Sequence, residues 1–245
     1  MTRIFSVALS AIDEARFGIR MARALNVSRA DVEPMLAYCR QHQVRLMVAR
    51  CAAADLAAAQ AMEAEGFRLM DTLVHYARDL RRESLPALPD GLTVRPVGPD
   101  EAAAIGQLAA RTFEGYPGHY HADDRLDRRR ADEVYISWAQ RSCAVQDAAG
   151  AVLTAECDGQ LAGFISLRLV SASAAEVPLY GVDPAFQRQG VGRGLLIGGL
   201  WWSLERGAST LHIATQIINT ASQKVWVRLG FEPTHAYYTF HKWFD

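Results

Sequence analysis

The sequence predicts a mixed α/β (α+β) fold, and three features of the 245-residue chain lead to that prediction. From Leu92 onward, short segments with alternating apolar residues are interspersed with segments of helical periodicity. Asp158-Gly159 separates two of the alternating segments, which is typical of a two-residue β-hairpin. Gln187 to Gly192 form a glycine-rich turn between an apolar strand and an apolar helix. Strands and helices mixed in this way indicate a sheet with helices packed against it.

The predicted elements of this part follow one another closely along the chain. Gly207 and Gly230 stand directly after the last two helices, where glycine commonly ends a helix. Strands are expected at Leu92–Val97, Val152–Cys157, Leu161–Leu169, Ala174–Val182, Leu211–Thr215 and Tyr237–Trp243. Helices are expected at Pro99–Phe113, Asp124–Arg141, Gly192–Arg206 and Thr220–Leu229.

The domain organisation follows from the segment SLPALPDG, residues 84–91, which contains two prolines and a glycine. It is the expected linker between an alanine-rich, mostly helical domain at 1–83 and a second domain at 92–245. The chain also contains an internal echo. Arg45–Leu80 and Thr210–Phe244 both predict strand, turn, helix, Gly-Phe and strand. The similarity of the two segments has two explanations: either a half-domain was duplicated, or any unit of strand, helix, glycine and strand would look alike. The sequence leaves both open.

Composition excludes several classes of function. The formal net charge of −1 lacks the basic excess that broad nucleic-acid binding requires. The four cysteines have no spacing typical of a zinc site or a redox motif, so we expect reduced thiols and no metal. The first residues do not form a signal-peptide pattern, and no apolar run is long enough to span a bilayer. These features predict a cytoplasmic protein that binds neither nucleic acid nor a membrane.

The stretch YGVDPAFQRQGVGRG, Tyr180 to Gly194, has the clearest chemistry. Backbone N–H groups at the start of a helix lack intrahelical acceptors, and the helix dipole makes that end partly positive. Glycine lets the main chain approach an anion closely, so the turn predicts a phosphate cradle. A P-loop is excluded because Gly-Lys-Ser/Thr is missing. A dinucleotide fingerprint is excluded because Leu195 stands in place of the third glycine.

The turn and the Val-Asp-Pro before it resemble the acetyl-CoA pyrophosphate motif, Q/R-x-x-G-x-G/A, of the GCN5-related N-acetyltransferases (GNAT). The order of elements from Leu92 to the last residue is similar as well. The resemblance implies a mixed, mostly antiparallel sheet whose two central strands splay apart around the pantetheine arm of acetyl-CoA. The implied cofactor-binding residues are Tyr180, Gly181, Val182, Gln187, Arg188, Gln189, Gly190, Val191, Gly192, Arg193, Asn219 and Trp226.

A more specific resemblance lies in ATQIINTASQKVWVRLGF, Ala214 to Phe231, and the AYYTFHKW after it. It is similar to the end of the dTDP-fucosamine acetyltransferases, which acetylate the 4-amino group of a nucleotide-linked amino sugar. This resemblance implies a small-molecule primary amine as acceptor, a partial GNAT-like domain at the N-terminal side and a homodimer. The expected acceptor residues are Gln216 and four members of the loop FEGYPGHYHADD, namely Tyr116, His119, Tyr120 and His121.

The implied reaction is direct attack of a neutral amine on the thioester, with the Val182 N–H as the donor to the carbonyl oxygen. The family's general acid is a tyrosine seven residues after Asn219, but this chain has Trp226 there. An indole N–H has no useful acidity, so Tyr237, Tyr238 and Tyr180 become the alternatives. Two other functions stay open: acetylation of another amine (amino acid, polyamine or antibiotic), and a non-catalytic acyl-CoA sensor, which the tryptophan would favour.

Overall fold

The computed structural model describes residues 5–244 except 83, 99, 145, 146 and 148. Strands and helices alternate also in the first 80 residues, where the sequence predicted mostly helix. The strands are β1 (Ser6–Leu9), β2 (Met21–Leu25), β3 (Leu46–Ala52), β4 (Arg68–Asp79), β5 (Leu92–Pro96), β6 (Gly150–Cys157), β7 (Gln160–Ser171), β8 (Ala174–Val177), β9 (Tyr180–Val182), β10 (Thr210–Gln216) and β11 (Glu232–Trp243). The helices are α1 (Ala11–Phe17), α2 (Val32–Gln41), α3 (Leu56–Ala64), α4 (Ala102–Phe113), α5 (Arg128–Cys143), α6 (Val191–Glu205) and α7 (Thr220–Arg228). Pro99, the predicted first residue of α4, and residues 1–4 and 83 of the predicted first domain lie outside the described residues.

The strands of the described residues form one mixed sheet in the order β1-β2-β3-β11-β4-β10-β8-β7-β6-β5, with β9 paired to β7. The pairs β2–β3 and β10–β8 are parallel and the others are antiparallel. The predicted hairpin between β6 and β7 turns through Asp158 and Gly159, with φ of 50° and 74°. A two-residue hairpin turn of type I′ requires positive φ at both central positions. The mixed, mostly antiparallel sheet expected from the sequence is therefore confirmed.

The two parts of the chain are interleaved within this sheet. Strand β4, from the first part, lies between β10 and β11 of the second part. Leu73 on β4 is opposite Gln216 on one side and opposite Tyr237 on the other. The two strands that follow each other in sequence, β10 and β11, are therefore not neighbours in the sheet.

Helices cover both faces of the sheet and bury three apolar clusters. Helices α6 and α7 pack over β7, β8 and β10, where Leu195, Leu200 and Trp226 are buried. Helices α4 and α5 cover the opposite face, where Ile105 and Phe164 are buried. A third cluster, between α2, α3 and the strands β2 and β3, includes Met35. Removal of this apolar surface from water is the main stabilising contribution. No helix in the described ranges combines the length and apolar character needed to cross a bilayer.

The predicted strand Ala174–Val182 is divided into β8 and β9 at Pro178 and Leu179. Proline has no N–H to donate and is disfavoured inside a central strand, so the ladder is interrupted there. Strand β8 pairs with β10 as far as Val177 and Ile213. Beyond that pair, β9 follows β7 alone and leaves β10. The two strands therefore open into a gap, which positions the site described next.

Candidate functional site

The gap between β9 and β10, called the slot below, is lined by main-chain groups. Ser166 N donates to Leu179 O at 2.8 Å and Asp183 N donates to Ala162 O at 2.9 Å. Hydrogen-bonded pairs alternate along an antiparallel ladder, so the peptide groups of Gly181 also face β7. Those of Tyr180 and Val182 face the other way, into the slot. Of the three strand residues predicted to contact the cofactor through their main chain, two therefore offer it their N–H and C=O groups.

Gly181 instead allows helix α4 to pack closely against β9. A Cβ on this residue would lie 2.6 Å from Thr112 Cγ2 and 3.2 Å from Phe113 Cζ, both on α4. Only a residue without a side chain allows α4 to approach β9 this closely. The direct cofactor contact expected of Gly181 is corrected to this role, because its peptide groups belong to the ladder with β7.

The predicted anion turn leads from β9 into α6. Gly190 is the residue before the helix and has a φ of 85°, and Arg188 also has a positive φ of 64°. The first backbone N–H groups of α6, on Val191, Gly192 and Arg193, have no acceptor one turn earlier in the helix. Left-handed residues that alternate with right-handed ones point successive N–H groups into one concavity, which binds anions. A Cβ on Gly190 would meet only Pro89 Cγ, at 3.9 Å, so the space over the turn is open.

The side chains of the turn point outward and stabilise it from outside. Gln189 Nε2 donates to Ala185 O at 3.1 Å, and Gln187 Nε2 lies 3.5 Å from Val182 O. Arg188 and Arg193 are exposed and add positive charge at the rim. The geometry of the turn fits the pyrophosphate of a nucleotide cofactor, with backbone donors in the concavity and cations around it.

Besides offering its N–H at the turn, Gly192 packs against Tyr180 of β9. A Cβ at this position would lie 3.1 Å from the Tyr180 hydroxyl oxygen. Burial raises the pKa of Tyr180, and the Ser222 hydroxyl and the Trp226 indole partly oppose the rise. The Tyr180 hydroxyl therefore lies between the start of α6 and the helix α7, beside the slot. Trp226 is buried and contacts Tyr76 edge-on with ring centroids 5.4 Å apart, and its Nε1 has no partner within hydrogen-bond distance among the described residues.

Three predicted residues meet at the far end of the slot, where β10 ends. The Tyr116 hydroxyl donates to Gln216 Oε1 at 2.5 Å and lies 3.1 Å from Thr215 Oγ1. Asn219 Nδ2 donates to Thr215 Oγ1 at 3.0 Å and is 3.5 Å from the Tyr116 hydroxyl. Asn219 also caps α7 through its Oδ1, which accepts from Ser222 N at 3.2 Å. The loop after α4 is thus connected to the end of β10 by polar side chains.

The other predicted acceptor residues hold their loop in place instead of lining the slot. His119 is buried and its Nδ1 lies 2.9 Å from His241 Nε2, while His241 Nδ1 lies 2.6 Å from Asp123 Oδ2. Burial and the neighbouring His241 hold the pKa of His119 well below its usual value. Tyr120 donates to Asp13 Oδ1 at 2.8 Å, and His121 Nε2 is 2.8 Å from Asp132 Oδ1. Each of the three side chains thus has a protein partner that anchors it, although the buried Nδ1 of His121 has none among the described residues. Their role in binding the acceptor stays a prediction.

Comparison with known proteins decides the family. The model of the acetyltransferase (GNAT) family matches residues 105–231, just over half of the chain. The chain belongs to the GNAT acetyltransferase family. A GNAT structure from Sphaerobacter thermophilus covers 97% of this chain, and the chain covers 76% of it, with a TM-score of 0.68 and 16% identity. A tandem GNAT protein from the clavulanic acid biosynthesis pathway covers 91%, is itself covered to 75%, and has a TM-score of 0.63 and 18% identity. Both likenesses show the fold.

Among curated relatives, the mycothiol acetyltransferase of Nocardia farcinica is 30% identical over 196 residues, which are 74% of this chain and 59% of that protein. The chain spans about half the length of the curated relatives it matches. The GNAT resemblance stated from the sequence is confirmed, and acetyl-CoA is the acetyl donor of this family. The finer resemblance to the dTDP-fucosamine acetyltransferases receives no support from these relatives.

Two tyrosines expected to replace the GNAT general acid lie elsewhere. Tyr237 and Tyr238 are on β11, which β4 separates from β10, so they are two strands from the slot, about 10 Å in the direction across the sheet. The Tyr237 hydroxyl donates to Asn26 Oδ1 at 3.2 Å, and Tyr238 packs on the third apolar cluster. Both tyrosines lie close in sequence to the GNAT motifs, but the sequence did not predict that β4 is inserted between β10 and β11. The structure therefore places Tyr237 and Tyr238 away from the slot, whereas Tyr180, the third tyrosine considered, lies beside it.

Two polar side chains of the site were not found from the sequence of this GNAT chain. Arg50 on β3 and Asp71 on β4 lie on the same sheet face as Tyr116 and Gln216. Gln216 Nε2 is 3.5 Å from Asp71 Oδ2. The feature of the sequence that could have indicated Arg50 is its charge inside the otherwise apolar strand LMVARCA. A charged residue seldom lies in such a strand without a partner or a function.

Proposed function

We propose that this chain is an acetyl-CoA-dependent N-acetyltransferase that transfers an acetyl group to the primary amine of a small molecule. One observation carries the proposal: pairing between β8 and β10 ends at Val177 and Ile213, next to the open turn before α6. An extended arm whose pyrophosphate binds the turn fits into the slot. The main-chain groups of Tyr180 and Val182 offer it the hydrogen bonds that a neighbouring strand would otherwise make.

The chemistry is an acyl transfer without a covalent enzyme intermediate. The neutral amine forms a C–N bond with the thioester carbonyl carbon as the C–S bond breaks. The amine loses one proton to solvent, and the departing thiolate gains one from a general acid. The N–H of Val182 faces the slot and is our proposed donor to the carbonyl oxygen, on which negative charge develops. Such a preorganised donor contributes about 3 kcal/mol to lowering the barrier.

Tyr180 is our proposed general acid in place of the tyrosine that Trp226 replaces. Its hydroxyl is beside Ser222 and Trp226 on α7, the helix from which the family's acid comes. Burial raises its pKa, so the phenol stays protonated at neutral pH and is ready to donate. The Trp226 side chain fills the buried space under it, and Ser222 is placed to hold the hydroxyl in position.

The acceptor we propose first is a nucleotide-linked amino sugar, because the segment around Gln216 resembles enzymes that acetylate one. The names of the curated relatives make a mycothiol-related amine the second acceptor to test. We also propose that residues 1–83 and 92–245 are two related parts joined by residues 84–91. The similarity to a protein described as a tandem GNAT supports this organisation. The homodimer is a further proposal, which sedimentation equilibrium would test.

The test combines acetyl-CoA binding with release of free CoA thiol. Thermal stabilisation by acetyl-CoA is expected, together with thiol release when an amine is supplied. Stabilisation without release for any amine would support the alternative, a non-catalytic acyl-CoA sensor, for which Trp226 is the specific observation. A chain that acetyl-CoA does not stabilise would contradict both functions.

A further inference from the structure

A row of three side chains crosses the sheet beyond the end of β10. Arg50 on β3 is opposite Thr239 on β11, and Thr239 is opposite Asp71 on β4. Directly opposed residues point to the same face, and strands are about 4.8 Å apart, so the Cα atoms of Arg50 and Asp71 are about 10 Å apart. This face is the one that carries Gln216 and Tyr116.

The guanidinium of Arg50 has unused donors. Its Nε donates to Thr239 Oγ1 at 3.2 Å. Within the described part of the chain, no carboxylate oxygen lies within 4.0 Å of it, and its two terminal nitrogens make no hydrogen bond to protein. Burial lowers the pKa of Arg50 and the charge of Asp71 opposes that effect. A half-buried cation without a carboxylate partner is costly, and a bound anion would remove that cost.

Asp71 has the opposite character and lies closer to the slot. Its Oδ1 is buried and has no hydrogen-bond partner among the described residues, while Oδ2 faces Gln216. Gln216 leads through the Tyr116 hydroxyl to Thr215 on β10. Asp71 therefore places a carboxylate beside Gln216 at the mouth of the slot, on the side where the acceptor would approach.

Arg23, a nearby arginine, has a carboxylate partner and provides a comparison for Arg50. Arg23 binds Asp13 through two hydrogen bonds, of 2.6 and 2.9 Å, and also donates to the Tyr120 hydroxyl. A structural role for Arg50 and Asp71 would predict the same kind of direct pair between them. They remain apart and each keeps open hydrogen-bonding capacity, which is the arrangement of a binding site for a molecule with both charges.

We propose that Arg50 and Asp71 bind the acceptor, and that the acceptor carries a carboxylate or phosphate group in addition to its amine. The proposal rests on the acetyltransferase function proposed above and narrows its acceptor class. The planar guanidinium binds the anionic group through two parallel hydrogen bonds. The Asp71 carboxylate accepts an N–H of the neutral amine and directs the nitrogen lone pair toward the slot. The N-terminal part of the chain thereby determines the specificity of a reaction catalysed by the C-terminal part.

The experiment compares matched acceptors that differ in the anionic group. L-Amino acids are paired with their carboxamides, and glucosamine 6-phosphate is paired with glucosamine. Thiol release gives kcat/KM for each, and thermal shift in the presence of CoA gives binding without turnover. We expect at least a tenfold preference for one anionic series, and the preferred series identifies the group as carboxylate or phosphate. Equal use and equal binding of charged and uncharged partners would overturn the proposal.

Variants separate this proposal from the acetyltransferase function. In Arg50→Met, the preference is expected to disappear through a KM raised at least tenfold for the anionic acceptor, with unchanged affinity for acetyl-CoA, and Arg50→Lys should restore part of it. Arg45→Met is the control, since the exposed Arg45 side chain donates from its Nε to Phe244 O, at 3.0 Å. Equal loss for charged and uncharged acceptors would refute the role of Arg50.

Release of thiol with uncharged amines alone would support the acetyltransferase function and overturn the proposal of an anionic acceptor. Failure to bind acetyl-CoA would contradict the function, and the thermal shift with acceptors alone would still decide about the anionic group.

Discussion

Replacing Tyr180 with phenylalanine tests the proposed general acid most directly. The variant removes one oxygen and keeps the ring, which packs on the core under α6 and α7. General-acid catalysis contributes about 10²–10⁴-fold, so kcat is expected to fall about 10²-fold or more, which corresponds to roughly 3 kcal/mol. Loss of the hydroxyl's contacts near Ser222 and Trp226 lowers the free energy of unfolding by only about 1 kcal/mol. For a chain of this size that means about 2–4 °C in Tm.

The assay measures CoA thiol release at saturating acetyl-CoA and amine across pH, together with the Kd of acetyl-CoA. The Kd should stay within about twofold, because the groups of residue 180 proposed to bind the extended arm are its main-chain N–H and C=O, which the variant keeps. Any alkaline decrease of kcat caused by ionisation of the phenol should be absent in the variant. Tyr38→Phe is the matched control: Tyr38 is on α2 and contacts His42 with ring centroids 4.1 Å apart and ring planes tilted by 35°. A variant with wild-type affinity and kcat within about threefold of wild type would refute the assignment.

Three other predictions follow from the geometry. Gly190→Val should reduce acetyl-CoA affinity at least tenfold and lower Tm by several degrees, because a β-branched residue is strained at a φ of 85°; unchanged affinity by calorimetric titration would contradict the anion turn. Trp226→Tyr should cost about 1–3 kcal/mol of stability by creating a cavity in the core, with kcat within about threefold since Tyr180 already supplies the proton; a tenfold rise would mean that it does not. Stability should fall as pH is lowered from 7 to 5. Burial lowers the pKa of His75 to about 4 and that of His119 as well, so between their usual and lowered values the unfolded chain binds more protons. His75→Gln should show a weaker pH dependence in thermal melts, and an identical dependence would exclude His75 as a cause.

Local signals in the sequence were sufficient wherever the backbone needs a particular residue. Asp158-Gly159 predicted its hairpin because both positions require positive φ, which few other residue pairs tolerate. Gly190 was predicted in the turn before α6 because glycine lets the main chain approach an anion, and the structure adds that its φ is positive. The strand Ala174–Val182 was predicted as one piece, although Pro178 marked the interruption, since its apolar pattern continues through the break.

The acceptor loop shows the limit of residue types as a guide. His119, Tyr120 and His121 have the chemistry of binding residues, but their partners come from distant elements: His241 on β11, Asp13 on α1 and Asp132 on α5. A polar aromatic side chain in a loop is equally able to bind a ligand or to anchor the loop. The choice depends on what lies opposite, which is a property of the tertiary structure.

By itself, the sequence determined the GNAT order of strands and helices, the glycine-rich turn around Gly190 and the departure from the family at Trp226. Each of these depends on residues close together in the chain, where steric limits and periodicity act directly. Only the tertiary structure decided that β4 lies between β10 and β11, which removes Tyr237 and Tyr238 from the slot and brings Asp71 to its mouth. Strand order depends on pairing between segments that are far apart in sequence, and alternating apolar residues fit many partners equally well. The proposed acceptor residues Arg50 and Asp71 therefore follow only from the pairing of both parts of the chain in one sheet.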